Sequence, residues 1–236
     1  MIRAVIFDFN GVLLDDEPVH FALFQEVLRQ EGVFITEDDY HSRYLGLDDR
    51  ACFEAALNDG GQTADQVRLD GLIARKAKRY FEVAAQGLRF FPGAADCLTS
   101  LARRFPLAIN SGALRPEIEF ALDQLGLRDQ VAVIVSAEET SRCKPDPEGY
   151  TLAYRGLLRS AAPADLAPHE CLVVEDSLAG IESAKGAGMW AVGVPNTYDR
   201  AALLRAGADD VVDGLPALTP HWIASRFAPA VSSARR

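Results

Sequence analysis

"VIFDFNGVLLDDEP", residues 5 to 18, is the stretch on which the fold turns. An apolar run rich in Val, Ile and Phe leads straight into Asp8, and Asn10-Gly11 follows. Such a run is expected to be a short buried strand over residues 2 to 7, stopped by the Asp8 to Gly11 turn, which leaves Asp8 at its carboxyl end. After Pro18 the period changes. Phe21, Phe24 and Leu28 fall on one face of a helix, with Leu23 and Val27 beside them, and Gly32 ends it.

Residues 37 to 86 continue as helices with polar connections and no convincing strand, and together with the helix before them they make an all-helical insert of about seventy residues. From Phe91-Pro92-Gly93 the texture becomes an alternation of short apolar strands and amphipathic helices, which argues for parallel α/β structure. Expected are a helix over 93 to 104 before strand Leu107 to Asn110, and a helix from Pro116 to Leu125 before strand Val131 to Val135. A helix from Pro147 to Arg159 then precedes strand Leu172 to Val174. A helix near 178 to 186, strand Trp190 to Val194, a helix from Asp199 and a short strand at Val211-Val212 complete the series. One more helix is expected after Pro220, with fraying from Ser232 to Arg236. No internal repeat or low-complexity segment interrupts the pattern.

The composition is that of a soluble globular protein, with 49% hydrophobic and 25% charged residues in a chain of 236. A formal net charge of -10 opposes phosphate backbones and anionic lipid, so nucleic-acid and membrane partners are not expected. An anionic substrate would need a local cationic pocket or a metal. The four cysteines, Cys52, Cys97, Cys143 and Cys171, form no CxxC pair and have no nearby His at zinc-finger spacing, which fits free thiols in a reducing compartment. The amino terminus runs too quickly into charge for a signal peptide or a membrane span, so a cytoplasmic setting is expected. A monomer or a dimer would each fit this composition.

In open parallel sheets ligands sit beyond the carboxyl ends of the strands. Four strand ends carry unusual residues here: Asp8, Asn110-Ser111-Gly112, Lys144 in the loop after the third strand, and Glu175-Asp176. Singly, each has a plain reading as a turn residue, a helix cap or a solvated charge. Together they supply what phosphoryl transfer requires. Asp8 can attack phosphorus as a carboxylate nucleophile. Ser111, with the backbone N–H groups of Gly112 and Ala113, accepts phosphate oxygens. Lys144 balances the charge of nucleophile and phosphate, and Asp176 with Glu175 can hold magnesium, which prefers oxygen ligands.

The motifs "VIFDFNGVLLDDEP", "AINSGA", "CKPDP" and "VVEDSLAGIESAKGAG", in this order, resemble the haloacid dehalogenase superfamily, and more narrowly its branch of helical-cap phosphatases and β-phosphoglucomutase-like enzymes. The resemblance implies a Rossmann-like core over 1–15 and 87–236 and a cap over 16–86. It also implies Mg2+ and an aspartyl-phosphate on Asp8. The residue at position 10 would give its backbone carbonyl to the metal and a carboxylic side chain to proton transfer, which makes Asp8, Asn10, Glu175 and Asp176 the expected metal set.

Asn10 departs from that pattern. An amide leaves a main-chain metal ligand in place, but it has no titratable proton near neutral pH and can neither protonate a leaving alkoxide nor activate water. General acid-base catalysis is typically worth about 10² to 10⁴ in rate. The acid could come instead from Glu17 or His20, deamidation next to Gly11 could regenerate Asp, or the site could bind phosphate without turnover. Sister chemistries fit less well. Dehalogenation has no use for the Glu175-Asp176 pair, and phosphonate cleavage needs a cap lysine as Schiff base, whereas Lys76 and Lys78 lie in a basic stretch, Arg75 to Arg79, that reads as solvated surface. In "YLGLDDRACFEAAL" (44 to 57), Gly46 makes a turn, Asp48-Asp49 start a helix, and Arg50, with Arg43 as a second candidate, is placed to meet an anionic group or a sugar hydroxyl of the substrate. The expectation is a magnesium-dependent phosphatase on a small phosphorylated metabolite, with Asp8, Asn10, Ser111 and Lys144 at the reacting centre and His20 and Arg50 toward the rest of the substrate. The alternatives are a phosphosugar mutase, which Asn10 disfavours, and a non-catalytic phosphate-binding protein.

Overall fold

The computed structural model describes residues 1 to 228. Strand β1, Ala4–Phe7, is buried along its whole length and splits its side chains between two faces: Val5 and Phe7 enter one apolar cluster, Ala4 and Ile6 another. That is what a strand covered by helices on both sides demands. The remaining strands follow the same rule: β2, Leu107–Asn110; β3, Val133–Val135; β4, Cys171–Glu175; β5, Trp190–Gly193; and β6, Asp210–Val211. All pair in parallel in the order β3-β2-β1-β4-β5-β6. The order reverses between β1 and β4, where Phe7 is in register with Val174. This is the Rossmann-like α/β core expected from the sequence.

Between β1 and β2 lie five α-helices and one π-helical segment, Tyr40–Tyr44. The first four are α1, Glu17–Gln30, the short α2, Glu37–Asp39, then α3, Asp49–Asp59, and α4, Gln66–Ala84. They enclose their own cluster, which includes Phe24, Leu28, Phe53, Leu57, Leu69 and Leu72. Polar caps fix where they begin: the side chains of Thr36, Asp48 and Asp65 accept from the backbone N–H three residues on. The insert leaves and rejoins the core at one place. Leu14 bridges Phe90, Asp15 N–H donates to Arg89 O at 2.7 Å, and Phe91 N–H donates to Leu13 O at 3.0 Å.

The fifth helix, α5, Ala94–Ala102, belongs to the core with α6, Arg115–Leu125, α7, Glu148–Ser160, α8, Leu178–Gly186, α9, Arg200–Arg205, and α10, Pro220–Arg226. The elements read from the sequence are present, with ends displaced by one to three residues. Strand β3 starts at Val133 rather than Val131, because Arg128–Gln130 closes as a 3-10 turn and Val131 follows it. The fraying expected from Ser232 to Arg236 lies outside the described residues.

Candidate active site

Strand ends bring the site together. Asp8 follows β1, its N–H donating to Val174 O at 3.0 Å, and Glu175-Asp176 closes β4 alongside. Ser111 follows β2 and donates its own N–H to Val135 O at 3.0 Å. Lys144 Nζ reaches across from the loop after β3 and donates to Asp8 Oδ1 at 2.7 Å and to Glu175 Oε1 at 2.5 Å. Two glycines make this packing possible. Gly11 has φ +78° and lies against Asp176, and Gly180 lies against Glu175; at either position a Cβ would collide with the carboxylate.

The two acids of the fourth strand end have different surroundings. Glu175 is saturated: Oε1 accepts from Lys144 and from Tyr150 OH at 2.8 Å, while Oε2 accepts from Asp176 N–H, Ser177 N–H and Ser177 Oγ at 2.9 to 3.0 Å. Burial opposes its charge, but these donors outweigh burial and hold its carboxyl below the usual range. Asp176 accepts from Thr197 Oγ1, and Asn196 Nδ2 donates to Gly11 O at 2.7 Å, so the loop after β5 buttresses the site. Burial first, then the charges of Glu175 and Asp8, push Asp176 well up. Burial likewise raises Asp8, to about 7, against the pull of Lys144.

This crowding is the test of whether a cation fits. Asp8, Glu175 and Asp176 offer ligand oxygens within 4.8 Å of one another, all are buried, and Lys144 is the one lysine among them. Excess negative charge in a site of hard oxygen donors suits a small divalent cation. Glu175, with both oxygens engaged by protein donors, is better placed to orient Lys144 than to bind metal directly.

Asn10 is fixed from two sides. Its Nδ2 donates to Asp16 Oδ1 at 2.8 Å, and its Oδ1 accepts from Ser111 Oγ at 3.2 Å. Asp16 also accepts from Tyr80 OH at 2.8 Å and from His20 Nε2 at 3.1 Å. Burial alone would raise Asp16, yet His20, Asn10 and Tyr80 bring it below the ordinary carboxylate value. On the far side of the imidazole, Lys76 Nζ meets His20 Nδ1 at 2.7 Å and Asp49 Oδ1 at 2.5 Å. A polar chain therefore runs from Ser111 through Asn10, Asp16 and His20 to the insert.

Two expectations are corrected here. Lys76 is not solvated surface; it is wholly buried on the inner face of α4, and although burial works against its charge, Asp49 and Glu117 raise its pKa. Arg50 does not reach the substrate space: its Nη2 pairs with Asp70 Oδ1 at 2.5 Å because α3 turns position 50 toward α4, and Arg43 is likewise held by Asp59. Asp8, Asn10, His20, Ser111, Gly112, Ala113, Lys144 and Asp176 do line one cavity of about 150 Å³, whose other wall is the insert. Ala113 N–H is occupied by Ser111 Oγ at 3.1 Å. Asn196 and Thr197 were not singled out in the sequence, although the rule that ligands gather beyond strand ends applies to the end of β5 as well.

A family model of haloacid dehalogenase-like hydrolases matches residues 2–188. The chain belongs to that family. A phosphorylated carbohydrates phosphatase of Thermotoga maritima is 32% identical to this haloacid dehalogenase-like hydrolase over 210 residues, which cover 88% of this chain and 92% of the relative. The β-phosphoglucomutase of Bacillus subtilis is 30% identical over 200 residues, or 82% and 83% of the two chains. Among solved structures, CbbY of Rhodobacter sphaeroides in complex with phosphate superimposes with a TM-score of 0.79 at 26% identity, covering 91% of this chain and 95% of that one. An Asp-to-Asn variant of that CbbY has been solved with xylulose 1,5-bisphosphate. The helical-cap phosphatase and phosphoglucomutase-like branch is thus where this hydrolase sits.

Proposed function

We propose that this chain is a magnesium-dependent phosphatase of a small phosphorylated metabolite, of the sugar-phosphate kind, acting in the cytoplasm through an aspartyl-phosphate on Asp8. The observation that carries the reading is the buried Asp8 carboxylate at the β1/β4 switch, bonded by Lys144 at 2.7 Å and set beside Asp176 on the wall of the cavity. The acidic chain as a whole, at -10, argues for a small-molecule partner rather than nucleic acid or membrane.

The residues divide the work. Ser111 Oγ and Gly112 N–H take phosphoryl oxygens, and Lys144 offsets the charge of the group beside Asp8. An Asp8 oxygen attacks phosphorus, the ester P–O bond breaks, and the leaving alkoxide takes a proton from solvent; water then attacks phosphorus, gives its proton to solvent, and the acyl phosphate P–O bond breaks to free the Asp8 carboxylate and inorganic phosphate. Asp8, Asp176 and the Asn10 backbone carbonyl would hold magnesium, which when bound neutralises the crowded oxygens and the phosphoryl charge. Asn10 has no proton to give, so esters of poorly acidic alcohols should turn over slowly. Mutase activity needs that proton in both directions and is disfavoured on the same ground.

Phosphate release from an aryl phosphate, with magnesium and with chelator, tests the reading. Turnover that requires magnesium and falls at least about 10³-fold in Asp8→Asn is expected, since a nucleophile removed is not replaced by binding groups. Turnover unchanged in Asp8→Asn would reject Asp8 as nucleophile. Phosphate binding without turnover would favour a binding protein of the same fold.

A further inference from the structure

Helix α6 has the phosphate-binding loop at its start and the insert on its flank. Ser111, Gly112 and Ala113 precede it, while Phe120 stands edge-on to Phe81 of α4 with ring centres 5.7 Å apart and packs against Leu23, Tyr80 and Ala84. Between them in sequence, in the first turn, lies Glu117, only 1% exposed. Its Oε2 accepts from Leu114 N–H at 3.3 Å, and its Oε1 is buried with no partner.

The side chains whose charge bears on Glu117 belong to the insert: Lys76 of α4, His20 of α1 and Asp49 of α3, and the Tyr80 hydroxyl responds to Glu117 in turn. Lys76 Nζ is committed to His20 and Asp49, so it attracts Glu117 without reaching the bare oxygen. An ionised carboxylate left with such an oxygen is costly, and a neutral carboxyl is less so. Burial therefore outweighs Lys76 and His20 and pushes Glu117 up to about 7. With the insert lifted, Glu117 would meet water and return toward the ordinary carboxylate range. Seating the insert thus takes up a proton, and by linkage it weakens as pH rises.

We infer that Glu117 is a positioning residue of the core, acting through Lys76 and His20: when neutral it lets the insert seat over Asp8, and when ionised it works to release it. The seat is close, since a Cβ on Gly112 would stand 3.6 Å from Asp48 Cβ of the insert. The effect on turnover rests on the phosphatase reading; the effect on seating does not.

Cys143 offers a readout that needs no substrate. It lines the cavity half-buried, where burial first and then Asp48 of the insert push its thiol up, while Cys52, Cys97 and Cys171 are buried. Lifting the insert uncovers Cys143 and removes Asp48, and both changes speed its reaction with a thiol reagent.

The full native chain, Glu117→Gln and Glu117→Met are labelled with 4,4′-dithiodipyridine in magnesium, with Cys143→Ser to identify the reacting thiol. Dividing a variant's rate by the native rate at the same pH cancels the titration of the thiol itself. That ratio is expected to fall by at least about tenfold between about pH 5.5 and 8.5, because only the native chain gains the charge that lifts the insert. The same ratio for kcat/KM on 4-nitrophenyl phosphate should rise by about threefold or more over that interval. The two substitutions differ in hydrogen bonding, so one carries the comparison if the other fails to fold. A labelling ratio that stays flat or rises with pH overturns the inference, as does a fall in labelling with no rise in kcat/KM in a chain that turns over. Absence of hydrolysis in every form counts against the phosphatase reading alone, because labelling still decides how Glu117 acts on the insert.

Discussion

At the scale of single residues, the amide of Asn10 has a defined orientation because its two ends meet opposite partners, the Asp16 carboxylate and the Ser111 hydroxyl. An Asp in its place would face Asp16 across a buried hydrogen bond, and one of two carboxyls so close keeps its proton. Asn10→Asp should therefore install an acid where the leaving alkoxide departs. The expected gain is about 10² to 10⁴ in kcat/KM on a hexose phosphate, with a smaller gain on an aryl phosphate, whose leaving group needs little protonation. Equal rates for the two forms on both esters would mean that the proton comes from elsewhere, and Glu17 and His20 would be the next substitutions. Asp8, Ser111, Lys144 and Glu175-Asp176 could be read from the sequence because each follows a strand and carries a chemistry that a turn does not need. Asp16 could not, since an acid beside Asp15 and Glu17 looks like the start of any surface helix, and only the burial of Tyr80 and His20 against it shows its use.

At the scale of elements, α4 shows where sequence reading loses its grip. The stretch Arg75 to Arg79 looks uniformly basic, yet the buried positions of the helix run Leu69, Leu72, Lys76, Tyr80 and Ala84, a helical spacing that puts Lys76 in the apolar stripe and Lys78 outside it. The period was present in the sequence; charge hid it. Arg50 failed in the opposite way, because a residue one place from a cavity wall on a helix can face a neighbouring helix instead. Lys76→Met keeps the stem's packing but leaves Asp49 and Glu117 buried without their counter-charge. It should cost about 3 to 5 kcal/mol in urea denaturation, the usual loss when one partner of a buried pair is removed. Lys78→Met, at an exposed position of the same helix, should stay within about 0.5 kcal/mol. Equal effects of the two substitutions would contradict the placement of Lys76.

At the scale of the whole molecule, the site sets how stability responds to pH. Burial and neighbouring charge raise Asp8 and burial raises Glu117, each to about 7, and Asp176 is raised as well. A carboxyl whose folded pKa is raised holds its proton in the folded chain after the unfolded chain has released it, so stability falls as pH climbs from the ordinary carboxylate range through about 7. Asp16 and Glu175 are lowered and act at more acidic pH, while His20, whose charge burial and Lys76 oppose but Asp16 favours on balance, is raised and adds to the fall at the upper end of that window. The melting temperature in chelator should drop between about pH 5 and 7.5, and magnesium should raise it more at the upper end than at the lower. A magnesium shift of the same size at both pH values would contradict the link between metal and the crowded acids.

Most of the architecture at this scale was legible, because alternating short apolar runs and helices leave few topologies open. The stem at Leu14 and Phe90 is a separate matter. Since the chain departs and returns through neighbouring backbone, the sheet's own path closes at the stem, whatever the helical lobe beyond it packs against. Such a lobe is a replaceable part. A lobe of different lining, closed on the same stem, would leave the reacting groups where the strands put them.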